Sequence, residues 1–383
     1  MTHAERGDDP ARRNIAETMV FAIGVAVIVC AFVGNQARLD RHFMPSFFLP
    51  RDAYVAIENV VRAAIAIVGV LLVVARGPVA RTLWRAPSLV PGVLLAAVLA
   101  FAASELLLRH VQLRPAEWLG PQEEPLRRPD ARVGWTFVPS RVGHGTMGGR
   151  TIDYALDANG YRVRGADDAV DFARPTILFI GESIMFGEGL SWSESVPAQV
   201  AAMTGVQSAN LAIHGFSNDQ AYLRLSTELP RFRAPVAVVS LFMTTLFGRN
   251  LDDDRPHLGP GLVWMPAVQH SRLKMLAKFL VPFRRDGTVE RGVVMTREVL
   301  RATAELARSR GATPLVVVPQ FGDEAPVERR LRQRILDEGG IGYVRADLDP
   351  SWHLSWDRHP DARGAHAIAA AVAERLRDAG PRP

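Results

Sequence analysis

Two long stretches in the first third of the chain carry no charge at all. Residues 18–37 read TMVFAIGVAVIVCAFVGNQA, and residues 86–104 read APSLVPGVLLAAVLAFAAS. A helix needs about 20 apolar residues to cross a hydrocarbon core about 30 Å thick, and each run is close to that length. Between them, residues 53–75 are long enough but include Glu58 and Arg62. Those two lie four apart on one helical face, where they can pair near an interface. The expectation is a membrane anchor over residues 1–115, with about three transmembrane helices at 18–37, 53–75 and 86–106. For the middle helix, an interfacial or re-entrant segment is the alternative.

A cleaved signal peptide is the weaker reading of the first run. Arg12 and Arg13 give it a positive start, yet its apolar stretch is long for a signal and no clean A-x-A site follows. Orientation rests on arginines. Arg6, Arg12 and Arg13 precede the first helix, Arg38, Arg41 and Arg51 fill the first loop, and Arg76, Arg81 and Arg85 fill the second. The count is nearly even, and the compact 76–85 loop favours an N-terminus inside. Three crossings then place everything after about residue 110 outside the cytoplasm.

Composition excludes other classes. The 383 residues are enough for two ordinary domains, and Cys30 is the only cysteine, which rules out a disulfide scaffold and a cysteine-built zinc site. The net charge is +5, no Lys/Arg run reaches five, and only Lys274 and Lys278 among 45 basic residues are lysines. An arginine excess of that kind reflects composition and not a nucleic-acid footprint, so no nucleic-acid partner is expected.

From about residue 116 the character changes. A lead-in segment, 116–170, is rich in Gly, Arg and Asp, and reads as loops with a small β-hairpin around TIDYAL (151–156). Beyond it strands and helices alternate. PTILFI (175–180), SANLAI (208–213), PVAVVSLFM (235–243), TPLVVVP (313–319) and IGYVRA (341–346) read as strands. Helices are expected near 194–203 and over 217–229, 293–311, 325–338 and 364–378. Continuous apolar strands alternating with helices indicate an α/β fold with a parallel sheet covered on both faces. Functional groups in such sheets gather in the loops after the carboxyl ends of strands, here near 181, 214, 244 and 347.

Those loops hold a constellation. The first, GESIMFGEGL, places Ser183 where the chain leaves a strand, with its own N–H available to a developing oxyanion. The second, NLAIHGFSNDQ, places Gly215 where a backbone can approach a ligand closely. The last, SWDRHPDARGAH, supplies Asp357 and His359 before a helix. A serine nucleophile needs a base within reach and a carboxylate to orient that base. His214 reads as a loop residue, His353 as a lining residue and His366 as a helix-packing residue. Asp252, Asp253, Asp254 and His257 read as a solvated loop, because consecutive aspartates point in different directions. No metal site is expected.

The GES with FGEG, the late D-x-H-P and the R-G-A-H after it resemble the SGNH/GDSL esterase superfamily over roughly residues 125–380. GWTFVPS and DANGYR (157–162) resemble the segment preceding the domain in membrane-anchored bacterial members. The resemblance implies a flavodoxin-like α/β/α sandwich over residues 171–383 and a cofactor-free hydrolase acting on ester bonds. It implies Ser183 as nucleophile, His359 as base and Asp357 as its partner, with oxyanion donors at Ser183 and Gly215. Three positions depart from the family pattern. Glu182 stands where the family usually has Asp, and one residue rather than two separates Asp357 from His359. Thr244 and Thr245 stand where the third motif usually supplies an asparagine to the oxyanion hole, so their hydroxyls, or Asn250 further on, are the expected oxyanion donors there.

The leading expectation is a membrane-anchored serine esterase of the inner membrane, its catalytic domain periplasmic or extracellular, cleaving an O-acyl bond. One alternative is an O-acyltransferase acting on a cell-envelope polysaccharide, which would need a membrane acyl-transfer partner. Another is a degenerate glycan-binding or scaffold domain. Residues 271–285, SRLKMLAKFLVPFRR, form a basic amphipathic segment. It can rest on anionic membrane lipid, lie over the acyl site as a lid, or pack as an ordinary surface helix.

Overall fold

A computed structural model describes residues 10–34, 44–47, 51–86, 88–111, 113, 124–147, 149–165, 167–280 and 284–379. The chain divides into two compact units. One holds the described residues of 1–43, 49–113 and 270–284, and the other those of 44–48, 114–269 and 285–383.

The first unit is helical, with α1 (Pro10–Val33), α2 (Arg51–Val74), α3 (Arg76–Arg85) and α4 (Leu89–Leu107). Among the described residues, three stretches are long and apolar enough to cross a membrane: Arg13–Val33, Arg51–Val74 and Leu89–His110, of mean hydropathy 2.4, 2.2 and 2.1. Helices α1 and α2 meet at Gly24 and Gly69. A Cβ on either glycine would stand 2.9 Å from the other's carbonyl oxygen, so any side chain here would force the helices apart. The Arg62 guanidinium donates to the Ala31 carbonyl at 2.9 Å and to Asn59 Oδ1 at 3.4 Å. A cation in an apolar helix is thus met by the backbone of its neighbour.

The helix of the basic segment, Arg272–Leu280, belongs to this unit and not to the sheet-bearing one. The carboxylate of Glu105 on α4 accepts from the backbone N–H groups of Arg272 (2.7 Å) and Leu273 (3.0 Å), two donors the helix cannot satisfy internally.

The second unit is built on a sheet. A ribbon of β1 (Arg127–Asp130) and β2 (Gly134–Phe137) stands apart from it. The main sheet takes β3 (Arg141–Met147), β4 (Arg150–Leu156), β5 (Arg162–Val163), β6 (Thr176–Ile180), β7 (Gln207–Asn210) and β8 (Pro235–Leu241). A second ribbon, β9 (His257–Gly259) with β10 (Val263–Met265), precedes its last two strands, β11 (Thr313–Phe321) and β12 (Tyr343–Leu348). The order across the sheet is β12-β11-β8-β6-β7-β5-β4-β3. Strands β12, β11, β8, β6 and β7 run parallel. Taken from β6 as the first, they follow the flavodoxin-like order, with β6 at the switch point between β7 and β8.

Connecting helices are α5 (Ser183–Phe186), α6 (Val196–Thr204), α7 (Asn218–Glu228), α8 (Asp286–Ser309), α9 (Pro326–Arg332) and α10 (Ala362–Ala379). The sequence of β6 explains why they cover both faces. All five residues of TILFI are buried. Ile177 and Phe179 pack with Val196 and Val200 of α6 and Ile368 and Val372 of α10. Leu178 and Ile180 pack with Ala221 and Leu225 of α7. Alternate side chains of a strand point to opposite faces, so a wholly apolar strand needs a helix layer on each.

The lead-in is more integrated than its composition suggests. The expected hairpin is β3–β4, but β5 then pairs with β7 through Arg162 and Asn210, which adds three antiparallel strands to the sheet. Tyr154 and Leu156 on β4, with Tyr161 next to β5, are buried, and that burial drives the docking.

Candidate active site

Strand β6 ends at Ile180, and the turn that follows needs Gly181. Its φ is +145°, and a Cβ there would crowd Leu241 and Met185 at 3.3 and 3.4 Å. Ser183 opens the short helix α5, which Glu182 caps by accepting from the N–H of Ile184 at 3.1 Å. The loop beyond is held by residues of the lead-in. The buried Arg162 guanidinium donates to the carbonyls of Phe186 (2.8 Å), Gly187 (2.6 Å) and Leu190 (2.5 Å). Burial lowers its pKa to about 10, so it stays cationic at neutral pH. Gly189 donates to the Tyr154 hydroxyl at 3.0 Å, and Asn210 donates to the carbonyls of Met185 and Phe186.

The third partner comes from the chain end. Asp357 Oδ1 accepts from the backbone N–H of His359 at 2.8 Å, while Oδ2 meets His359 Nδ1 at 2.7 Å. One carboxylate thus closes the turn and orients the ring, which is how a one-residue spacing suffices. His359 Nε2 lies 2.7 Å from Ser183 Oγ. Ser183, His359 and Asp357 therefore form a continuous hydrogen-bonded chain. The serine is only 2% exposed and the histidine 4%.

Four further groups face this chain. Ser183 Oγ donates to Glu182 Oε2 at 2.5 Å, and Arg249 holds the same oxygen at 3.2 Å. A hydroxyl has one proton, so it serves either Glu182 or His359 at a given moment. Glu188 Oε2 lies 3.5 Å from His359 Nε2 and 3.7 Å from His214 Nδ1. Burial by itself would lower the His359 imidazole. The Asp357 hydrogen bond and the charges of Glu188, Asp357 and Glu182 outweigh it and hold the pKa above its ordinary value. Burial pushes the Glu188 carboxyl up, against His359 and Arg127. His214 is driven well below its ordinary value by burial and by the surrounding cations, so it stays neutral. Glu188, Arg249 and Arg162 went unassigned in the sequence, although Glu188 stands inside the FGEG string.

The expected oxyanion residues divide. Among the described residues, the backbone N–H groups of Ser183 and Gly215 find no acceptor, which leaves both free for a substrate oxygen. Thr244 is buried, and Thr245 Oγ1 is buried without a hydrogen-bond partner. Asn250 is otherwise engaged. Its amide donates to Asn218 Oδ1 (2.9 Å) and Thr296 Oγ1 (3.0 Å), and its oxygen accepts from the N–H of Asn218 (3.0 Å). The expectation of Asn250 as an oxyanion donor is corrected: the side chain has no amide hydrogen left to give.

A cavity of about 300 Å³ adjoins the site, lined by Phe47, Met243, Thr244, Thr245, Gln320, Phe321, Glu328, Pro350, His353 and Arg358. His353 is a lining residue, with Nδ1 spent on the carbonyls of Leu354 and Asp357. His366 is exposed and meets Gln199 at 2.6 Å, so it bridges α10 and α6 at the surface and is not buried in their packing. Around Asp252–Asp254 the guanidinium of Arg255 pairs with Asp252 and Asp254. Among the described residues, no group of three His, Cys, Asp or Glu side chains is placed to hold a metal ion.

No family model matches the chain, and no curated protein matches it. Solved structures similar to it include a member of the lipolytic G-D-S-L protein family from Veillonella parvula. Identity there is 14% and the TM-score 0.32, over 52% of this chain and 96% of that one. An acetyl xylan esterase from the rumen bacterium Butyrivibrio proteoclasticus is similar at 12% identity and a TM-score of 0.34, over 55% of this chain and 66% of that one. The sheet order and the Ser-Asp-His arrangement agree with the SGNH/GDSL resemblance, and the functional reading rests on the side chains themselves.

Proposed function

We propose that the protein is a membrane-anchored serine esterase that cleaves an O-acyl bond through an acyl-Ser183 intermediate. The observation that carries this is the unbroken chain from Ser183 Oγ through His359 to Asp357, at 2.7 Å and 2.7 Å. Neutral His359 takes the hydroxyl proton through Nε2 as Oγ attacks the ester carbonyl. The oxyanion gathers on the N–H groups of Ser183 and Gly215. Collapse expels the alcohol, which leaves with the proton from His359. Water then attacks the acyl-enzyme with His359 again as base, and releases the acid. Asp357 holds the ring in the tautomer that presents Nε2 and stabilises the imidazolium between steps.

The burial of Ser183 favours a second reading of the same chemistry. With so little of the serine open to solvent, a hydroxyl bound in the cavity can displace water and receive the acyl group, which would make the protein a transferase. An intact triad supports catalysis over the scaffold reading.

The anchoring has a topological support. Residues 44–47 and residues 124–269 lie in the same folded unit, hence on the same side of a membrane. The number of crossings between them is therefore even, so α2 and α4 both cross or neither does. With α1 also crossing and the N-terminus inside, the catalytic unit lies outside the cytoplasm.

The test is reaction of the detergent-solubilised full chain with a fluorophosphonate probe. Wild type should label and Ser183→Ala should not. A wild type that stays unlabelled would overturn the esterase reading and leave a binding domain.

A further inference from the structure

Residues 44–47 sit in the sequence between the first two apolar helices, yet they fold with the catalytic unit. Met44 belongs to a buried apolar cluster that includes Phe242, Phe247 and Val316, and Phe47 to the large cluster that includes Met243, Leu354 and Leu241. The backbone is fastened too, since the N–H of Phe47 donates to the carbonyl of Thr245 at 3.1 Å. The Phe47 ring meets the His359 imidazole edge to face, with centroids 5.1 Å apart and planes at 68°. The same ring lines the cavity of about 300 Å³ together with Thr245, Gln320, Phe321 and Pro350. Phe47 is thus a large side chain in contact with both His359 and the cavity beside it.

We infer that Phe47 is a specificity-determining residue, the wall that limits the size of the ester presented to Ser183 beside His359. The catalytic centre is then assembled from two distant parts of the chain. The sheet supplies the triad, and the stretch between two apolar helices supplies the wall. A wall of this kind acts on selectivity before it acts on turnover. One methylene in an apolar pocket changes relative kcat/KM by about tenfold or more, and truncating a phenyl ring removes several carbon atoms.

This inference rests on the esterase reading, and the experiment separates the two. Wild type, Phe47→Ala, Phe47→Leu and Phe47→Trp are compared as full chains in detergent micelles. One series holds p-nitrophenol constant and lengthens the acyl group from acetate through butyrate to octanoate. A second holds acetate constant and enlarges the alcohol. In at least one series, the kcat/KM ratio of larger to smaller ester should rise about tenfold in Phe47→Ala. It should rise less in Phe47→Leu and fall in Phe47→Trp. Phe47→Leu and Phe47→Trp keep a buried apolar group, so they remain informative if the alanine variant unfolds. Ratios flat in both series, with wild type active, overturn the assignment of Phe47 alone. A wild type that hydrolyses no ester and takes no fluorophosphonate overturns the esterase reading and this inference with it.

Discussion

The loop after β6, which carries Ser183, and the loop after β8 lie side by side, but they are built on different principles. The first is gripped from several sides: Arg162 on β5, Tyr154 on β4 and Asn210 on β7 all hold its backbone. The second, Thr244–Leu251, is a single short helical stretch. Asn250 ties its far end to Asn218 and Thr296, and the near end is held by the N–H of Phe47. The loop that carries Ser183 is therefore fixed by the sheet, while the neighbouring cavity is closed by separate segments that include Phe47, Thr244 and Thr245. Rigid scaffolding for the nucleophile with variation left to the neighbouring loops lets one fold serve many esters.

The largest test of that contrast is Arg162→Met. It removes three hydrogen bonds to buried loop carbonyls, of which Phe186 keeps the Asn210 amide and Gly187 keeps the N–H of Leu190, and it removes the cation from over the Tyr154 and Phe186 rings, 4.8 and 4.9 Å away. Stability should fall by about 3 kcal/mol or more, and the rate of fluorophosphonate labelling of Ser183 should fall with it. Thermal unfolding and labelling of the same sample measure both. A loss under about 1 kcal/mol would mean that the loop keeps its shape without the clamp.

Glu188→Gln probes the electrostatics of the fixed half. The carboxylate lies 3.5 Å from His359 Nε2 and helps hold the imidazole pKa above its ordinary value. Activity needs neutral His359, so it is lost as pH falls through that pKa. Removing a negative charge destabilises the imidazolium, lowers the pKa, and moves the acid limb of kcat/KM to lower pH. The two groups interact, so the limb reports the pair and not His359 alone. An acid limb that stays in place or moves to higher pH would show that Glu188 does not act on His359.

What the sequence disclosed follows the same division. Ser183, Asp357 and His359 were legible because each sits at a strand end or helix start within a short motif, where local spacing dictates position. The unbroken apolar run of β6 announces its two covered faces for the same reason. Glu188 was visible as a letter but not as a neighbour of the base. Its placement depends on Gly187 turning the chain at φ +84° and on Arg162 pulling the loop down, and neither is local information. Phe47 is further still from any motif, and only the tertiary fold brings it to His359. Asn250 misled because residue type and neighbourhood both suited an oxyanion donor, while its hydrogen bonds were already spent.

Asn250→Ala is accordingly the mildest test, and it decides what the second loop contributes. The substitution removes bonds to the Asn218 backbone, the Asn218 amide oxygen and Thr296 Oγ1, all partly buried. Each is worth about 1 kcal/mol net, so stability should fall by about 1–2 kcal/mol once the loop relaxes and water replaces part of the loss. Turnover below the unfolding transition should change by less than about threefold, because the variant loses no group that reaches the reacting carbonyl. Loss of an oxyanion donor costs about a hundredfold or more in kcat. A kcat effect of that size with KM unchanged would mean that Asn250 leaves Asn218 and Thr296 when substrate binds and turns its amide to the oxyanion. The second loop would then be a moving part of the catalyst, and the contrast with the clamped first loop would become one of dynamics as well as construction.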